Sequence, residues 1–449
     1  MATSYLKRTP SSPGSNTTGT VSAWVKYDQG AGTNTIIGGN EGSSSTDRSL
    51  FSITSDGTVY NQIVDGGSAY TQISDRLLRD PAAWYHVVFQ FDTSNGVQAD
   101  RVKTFINNEQ ITSWSTTALW PSSVDIKLWD SAASAEYMIG CRKSSSSYQY
   151  FFSGNMAHVH VVDGTIYAPS VFAETDSTSG IWIPITAPSV TYGTNGGFYK
   201  FASGALGTDS AGSNDMTAVG NLTSVKDNPE NNFCTFNPLD NYYQASTFTN
   251  GNSTVTTHAG NYTWNTATIG LTSGKWYWEC KGGTNISQVI VAICSKLSPG
   301  STTEITSDAA SITMEMGSGG VLKGGVSEYS GTAYTTSDVC GIAMDLDNNK
   351  YYLALDNVWK NSGVPTSGAT GTGAVDITTP IPNTGFYFPA QADPSSSLGG
   401  ECFWNFGNGY FGTTAVTSAE ADGNGEGAFE YAPPTGYFAI CTNNLGSES

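Results

Sequence analysis

YGTNGGFYKFASGALGTDSAGSNDMTAVGNLTSVKDNPENNFCTFNPLD, from Tyr192 to Asp240, decides how the rest of the chain is read. The stretch closes one β-rich half, crosses a polar hinge and opens a second half with a different pattern. Gly and Asn supply turns along it, and Pro229 sets an extended entry to Asn231. The expected organisation is a first β-sandwich over residues 1–205, a turn-rich connector over 206–232 and a second β-sandwich over 233–449.

The totals agree with that division. A chain of 449 residues suits two sandwiches of roughly 200 residues, each large enough to bury about 70% of its unfolded surface. Aromatics make up 12% and charged residues 13%, and Gly, Ser, Thr and Asn are abundant, a balance that starves helices and feeds strands and turns. A net charge of −19 repels nucleic acid and anionic membrane, so neither is an expected partner. No apolar run approaches the length of a membrane span, and MATSYLKRTPSSPGSNTTG lacks the hydrophobic stretch of a secretory signal, so neither membrane insertion nor standard export is expected. Seven widely spaced cysteines, Cys141, Cys234, Cys280, Cys294, Cys340, Cys402 and Cys441, form no CxxC pair and mostly sit beside apolar residues. They are expected as free, mostly buried thiols.

In the first half, TGTVSAWVK from Thr18 to Lys26 alternates Val21, Ala23 and Val25 with small or polar residues, the pattern of a strand buried on one face. Ile36-Ile37-Gly38-Gly39 and Leu50-Phe51-Ser52-Ile53-Thr54, with a turn at Asp56-Gly57, continue the spacing of a sandwich. The block AWYHVVFQFDTSNGVQADRVKTFINNEQI, Ala83 to Ile111, carries Trp84, His86, Val88, Asp92 and Phe105-Ile106-Asn107-Asn108. It resembles the laminin-G or concanavalin A-like pattern W-x-H-V…D…V-x-x-Y-I-N-G, with Phe105 and Asn108 in place of Tyr and Gly. EYMIGCRK (Glu136 to Lys143) and YFFSGNMAHVHVVDGTIYAPSVFAETD (Tyr150 to Asp176) match the end of the same module.

The second half carries Gly274-Lys275-Trp276-Tyr277-Trp278-Glu279-Cys280, then Asp338 to Asp347 (DVCGIAMDLD), Asn357-Val358-Trp359, Phe386-Tyr387-Phe388-Pro389-Ala390 and Asn405-Phe406-Gly407. That order resembles SPRY domains, with Leu355-Asp356-Asn357-Val358 replacing the usual K-N-G-V hairpin. The fold expectation is therefore all-β: two concanavalin A-like (jelly-roll) β-sandwiches in tandem, laminin-G-like and then SPRY-like. The strings Gly180-Ile181-Trp182-Ile183-Pro184, YGTNGGFY, DSAGSND, DNPENNF and the closing PTGYFAICTNNL resemble, in order, those of marine bacteriophage virion structural proteins. Met216 stands where that family has Trp.

Chemistry-bearing patterns are sparse. His158-Val159-His160 places two imidazoles on one face of a strand, a spacing a metal site can use. Asp209-Ser210-Ala211-Gly212-Ser213-Asn214-Asp215 is rich in oxygen ligands, and Asp209, Asn214 and Asp215 are the candidate calcium ligands; its competing reading is a Gly/Asn turn, since an EF-hand's terminal Glu and spacing are missing. No other cofactor is expected. A glycosidase would need two carboxylates about 5 to 10 Å apart on one concave face, and the apolar strands show no such set. Asp345 and Asp347 alternate correctly but are expected as solvated acids ahead of a turn. No GxSxG, Ser/His/Asp order or phosphate loop appears, so no enzyme activity is expected. Aromatic rings that stack on sugars remain: in SSSSYQYFF, Tyr148 and Tyr150 are the candidate carbohydrate-binding residues, beside Phe151 and Phe152, against the reading of a hairpin ending in core aromatics. Trp24, Trp84, Trp276, Trp278 and Trp404 are expected in the core.

The resemblance implies a non-enzymatic virion surface protein, as a capsid decoration or knob or a tail-associated fibre component, assembled in the bacterial host cytoplasm. It would be present as a homo-oligomer or in many copies, contacting other virion proteins and host-surface glycans. A purely architectural decoration protein without a ligand is the alternative, and a glycan hydrolase a lesser one.

Overall fold

The structure is a computed structural model, and it describes residues 4–28, 32–41, 46–131, 135–241, 245–260, 262–297, 304–379, 384–393 and 397–446. The chain divides into two units, residues 1–224 with 228–230, and residues 225–227 with 231–449.

In the first unit the strands are β1 (Tyr5–Arg8), β2 (Thr18–Tyr27), β3 (Asn34–Asn40), β4 (Arg48–Ile53), β5 (Thr58–Asp65), β6 (Ser68–Leu77), β7 (Tyr85–Asp92), β8 (Val102–Ile106), β9 (Glu109–Gln110), β10 (Trp114–Thr117), β11 (Glu136–Ile139), β12 (Arg142–Ser144), β13 (Ser147–Gln149), β14 (Gly154–Asp163), β15 (Ala173–Thr175), β16 (Trp182–Pro184), β17 (Gly197–Tyr199) and β18 (Thr217–Val219). They build an eight-stranded sheet ordered β10-β6-β5-β4-β3-β11-β1-β18 and a six-stranded sheet ordered β17-β14-β2-β7-β8-β9. Apolar residues of both, Phe51, Ile53 and Ile63 from one and Val21, Val25, Phe89 and Val161 from the other, form one core. Each such side chain contributes roughly 1.5–3 kcal/mol on burial.

Two expectations change here. The segment read as a connector from 206 belongs to the first unit as far as Ser224. Its Thr217–Val219 pairs with β1, and Met216 is buried in the core. Residues rich in Gly, Ser and Asn have little intrinsic strand preference; an open sheet edge recruits them. Secondly, β2 is buried on both faces. Thr20, Ser22, Trp24 and Lys26, on the face away from the core, are as covered as Val21 and Val25, because the chain from Thr165 to Pro184 folds over them.

That covering depends on a histidine. Trp24 stacks on His86 with ring centroids 4.9 Å apart, and the Trp182 indole N–H donates to His86 Nδ1 at 3.1 Å. Since an indole nitrogen only donates, Nδ1 must be bare and the proton sits on Nε2, which faces Ser22 Oγ at 2.8 Å.

The second unit repeats the plan with other strands. One sheet runs Thr247–Thr249, Thr254–Thr256, Glu401–Asn405, Lys275–Gly282, Cys340–Asp345, Lys350–Leu355, Val358–Trp359, with Val375–Asp376 and Phe438–Ala439 pairing off that path. The other runs Trp264–Thr266, Phe388–Ala392, Ile290–Cys294, Ser311–Glu315, Val321–Lys323, Val326–Tyr329. Trp276, Trp278, Cys280, Cys340, Cys402 and Trp404 lie in the core between them. All seven cysteines are free and buried, and all five tryptophans singled out in the sequence are buried. Trp24 and Trp84, however, pack outside the main core, in a small cluster with Ala173.

On the outer face of Lys275–Gly282, Glu279 is fully buried and accepts four hydrogen bonds. Tyr277 Oη and Tyr431 N donate to Oε1 at 3.0 and 2.9 Å; Glu430 N and Asn405 Nδ2 donate to Oε2 at 2.8 and 3.2 Å. Burial outweighs these donors and pushes Glu279 up to about 7.

Two outcomes are expected. Glu279→Gln replaces an oxygen that accepts two bonds by an amide NH2 that can accept none, and should lower stability by about 2–4 kcal/mol at pH 7.5 in a urea titration. Because Glu279 holds its proton more tightly folded than unfolded, its contribution is full below the ordinary carboxyl value and is lost as pH rises through about 7; the gap between wild type and variant should narrow from pH 5 to pH 8.5. The histidines behave oppositely. Burial pushes His86 down to about 3 and His158 down to about 4, so their contribution is full above the ordinary imidazole value and is lost as pH falls through that range. The urea midpoint should drop between pH 6.5 and pH 4, less steeply in His86→Gln.

Candidate ligand-binding site

The SSSSYQYFF stretch forms a hairpin, β12 paired with β13, in which Arg142 faces Gln149 and Lys143 faces Tyr148. It packs on β3 and β4. Gly38 makes the approach possible: a Cβ there would sit 2.7 Å from the Cys141 carbonyl oxygen.

The two candidate sugar-binding tyrosines have different surroundings. Tyr148 is half-buried, its ring 4.6 Å from that of Tyr5. Its hydroxyl donates to Glu136 Oε2 at 2.6 Å and accepts from Lys7 Nζ at 3.2 Å. Lys143 and Lys7 also bind Glu136, at 2.8 and 2.9 Å. Burial pushes Glu136 up, but the bonds from Lys143, Tyr148 and Lys7 win and hold it below the ordinary carboxylate range. Tyr148 is thus committed to a buried ion network. Phe151 packs on Tyr5 at 5.9 Å, and Phe152 packs against the core.

Tyr150, by contrast, is 42% exposed. Its backbone takes a left-handed φ of 54°, a conformation costing a tyrosine about 1 kcal/mol or more. The Thr35 N–H donates to its carbonyl at 3.1 Å. The Arg142 guanidinium lies over its ring, 3.7 Å from the centroid, so one ring face is backed by a cation while part of the side chain meets solvent.

Beneath the hairpin, the eight-stranded sheet carries polar side chains on its outer face. Phe51 points to the core, so Arg48 and Leu50 point outward. Opposite them stand Val64 and Gln62, with Tyr60 two residues away on the same face. Gln62 Nε2 donates to the Tyr60 hydroxyl at 2.6 Å and to Thr71 Oγ1 at 3.0 Å. Arg142 Nη2 donates to Gln149 Oε1 at 3.0 Å. Sequence reading missed Arg48, Tyr60 and Arg142; the alternation within β4 and β5 gave their shared face, but only the hairpin's docking unites them.

The calcium candidates form a turn. Asp209 Oδ1 accepts from the N–H groups of Phe198 and Ala211 at 2.9 and 3.0 Å, and its Oδ2 from Asn214 N at 3.0 Å. Asp215 Oδ1 accepts from Asp209 N at 2.8 Å. Asn214 Oδ1 accepts from Arg8 Nη2 at 2.5 Å, and its amide donates to the Thr194 and Gly196 carbonyls. These oxygens therefore face N–H donors and a guanidinium, whereas a hard cation takes a cage of oxygens directed at one point.

His158 lies within a β-bulge of β14, with φ 46°, and His160 resumes the pairing with β2. His160 stacks on Phe198 at 4.0 Å and its Nδ1 meets the Tyr192 hydroxyl at 2.9 Å. Among the described residues no three His, Cys, Asp or Glu side chains converge so as to hold a metal ion. Asp345 departs from expectation: it is fully buried, with Lys275 Nζ 3.1 Å away and Asn348 donating to both oxygens. Asp347 is exposed and accepts from Gly274 N at 2.8 Å.

Comparison with known proteins addresses the fold. A family model described as the concanavalin A-like lectin/glucanases superfamily, of laminin G type, matches residues 2–172. No curated protein matches the chain. The SPRY domain of human HERC1 is 15% identical over 38% of this chain and 96% of that one, with a TM-score of 0.30. A heptameric SAP-like pentraxin from Limulus polyphemus is 15% identical over 44% of this chain and 88% of that one, with a TM-score of 0.30. The TRIM65 PSpry domain is 12% identical over 38% and 91%, at 0.29. The chain is all-β, with two β-sandwiches in tandem, and its first 172 residues are similar to the concanavalin A-like superfamily.

Proposed function

We propose that this chain is a non-enzymatic display protein of a phage virion, presenting its sandwiches in many copies so that shallow contacts with host-surface glycans add up. The observation that carries the reading is Tyr150: an exposed ring, backed by Arg142 and held on a docked hairpin, is suited to stack on the apolar face of a sugar. The similarity of residues 2–172 to a superfamily of lectins and glucanases supports it. In the second unit, outside the matched residues, two buried acids are both engaged. Glu279 is tied by four donors and Asp345 by Lys275 and Asn348, so neither is placed to protonate a glycosidic oxygen in an open cleft. The virion assignment rests on the ordered sequence strings of the hinge and the tail. Capsid or tail proteins are the proposed partners, and multivalency supplies the avidity.

The test has two arms. Purified particles analysed by mass spectrometry should contain the chain, and its absence from them sinks the virion assignment. The full chain, clustered on a tetravalent carrier, should bind a subset of a glycan array, and Tyr150→Ala should weaken that binding about tenfold, the effect of roughly 1.4 kcal/mol of ring contact. A silent array, with host adsorption unaffected by antibody to the protein, would leave the architectural role instead.

A further inference from the structure

Three of the chain's four histidines lie together. His86 and His160 sit on the outer face of the six-stranded sheet, opposite Trp24 and Ser22, with His158 beside them in the bulge of β14. The strap that covers this face, residues 165–192, is tied to it through Thr20, Gln90, His86 and His160. Thr20 Oγ1 donates to the Thr165 carbonyl at 2.9 Å and accepts from Tyr167 N at 3.0 Å, and Gln90 Nε2 donates to the Tyr167 carbonyl at 2.8 Å. The imidazole ties are Trp182 Nε1 donating to His86 Nδ1 and the Tyr192 hydroxyl meeting His160 Nδ1. Phe172 of the strap also packs on the His160 ring, 4.9 Å between centroids. None of the three imidazoles has a place for a second proton. His86 Nδ1 faces an indole N–H, and His160 Nε2 and His158 Nδ1 are buried with no partner. An imidazolium donates from both nitrogens, so each protonation would create a buried N–H without an acceptor, which is costly.

We propose that residues 165–192 are an acid-released strap, leaving the six-stranded sheet on acidification while the two sheets and the core between them stay folded. The core lies on the opposite face of β2, β7 and β14, through Val21, Val25, Phe89 and Val161, so charge placed on the outer face does not enter it. The groups facing the cluster give that charge no relief. Lys200, just past β17, lies over the Phe198 ring at 5.0 Å and acts on His158 and His160, and β2 adds Lys26 two residues beyond Trp24. The acids are turned to other donors: Asp163 of β14 accepts from Ser15 N and Asn195 N, Asp209 from Phe198 N, and Asp176 of the strap from Ser179 N. Glu174 of the strap is exposed, and Tyr167 and Tyr192 offer phenols, which bring no negative charge in acid. Burial holds His86 down to about 3, His158 down to about 4 and His160 well below its ordinary value. Release returns them to water and to about 6.5, so the held form is at full strength above that value and weakens as pH falls below it. Each imidazole shifts the balance by up to about tenfold per pH unit, and three together by up to about a thousandfold. Release is therefore steep, and it bares Trp24, Trp84 and Phe198, all buried in the held form.

The test is hydrogen exchange of the full chain, read by mass spectrometry from pH 7 to pH 3.5 with rates corrected for the intrinsic effect of pH. Protection of residues 165–192 should fall by at least about a hundredfold between pH 6 and pH 5 and return on neutralisation, while β4 and β5 keep theirs. His86→Gln, His158→Gln and His160→Gln should each flatten that fall by about tenfold per pH unit, because glutamine takes up no proton. Circular dichroism and the urea midpoint at pH 7.5 identify a variant that does not fold, and the wild-type pattern decides between local release and unfolding without it. Loss of protection in the strap, β4 and β5 at one pH is acid unfolding of the whole unit and overturns the proposal. A strap still protected at pH 3.5 overturns it as well. Release as steep in every folded histidine variant as in the wild type assigns it to carboxylates such as Asp163 and Asp209, and overturns the part given to the histidines.

Discussion

Everything in these two units follows from a central strand that is buried on both faces. A strand at the middle of a sandwich ordinarily shows one face to the core and one to water, and its sequence alternates accordingly. In β2 and in Lys275–Gly282 the second face is covered too, and polar side chains on that face lose water. Each must then find a partner within the protein, because an unpaired buried polar group costs as much as several good contacts supply. His86, beside β2, and Glu279, in the other strand, meet that demand. Each ties a later segment of chain to the sheet, Trp182 in one case and residues 430 and 431 in the other.

The same demand shapes the candidate site. Leu50 on the outer face of the eight-stranded sheet is fully buried although it points away from the core. The hairpin Arg142–Gln149 is what covers this face, and glycine at position 38 lets it come close. Docking the hairpin brings Arg142 and Tyr150 beside Arg48 and Tyr60. The candidate site is therefore a by-product of covering a sheet, with the arginines left at the edge of the cover.

Much of this was legible in the chain. Short alternating runs such as TGTVSAWVK and KWYWEC specified strands, and the tryptophans in them specified burial. The thiols followed from their apolar neighbours. What local pattern could not convey was the second covered face: Ser22 and Glu279 look like solvent positions until the segments that cover them are known. For the same reason Asp345 read as a solvated acid, when Lys275 and Asn348 enclose it. The strand at Thr217–Val219 was not legible either, since it lies in a stretch of turn-forming residues and pairs with the edge that β1 offers. Of the site, Tyr150 was visible as an aromatic after a serine run. Arg48 and Tyr60 were not, because nothing in a single sequence links residues that meet only through the docking of a hairpin.

The pairing of β1 with β18 and the meeting of Cys234 N with the Ile440 carbonyl at 2.9 Å set the order in which the chain can acquire structure. In both units a strand or extended segment near the beginning is completed by one near the end. Neither sandwich can close its sheet until nearly all of its own sequence is present, and loops of some two hundred residues must be drawn together first, which slows folding. The first unit, however, is complete once the chain has reached Glu230. On a ribosome it can finish while the second is still being made, so the two halves would gain their structure one after the other and their exposed strand edges would not compete.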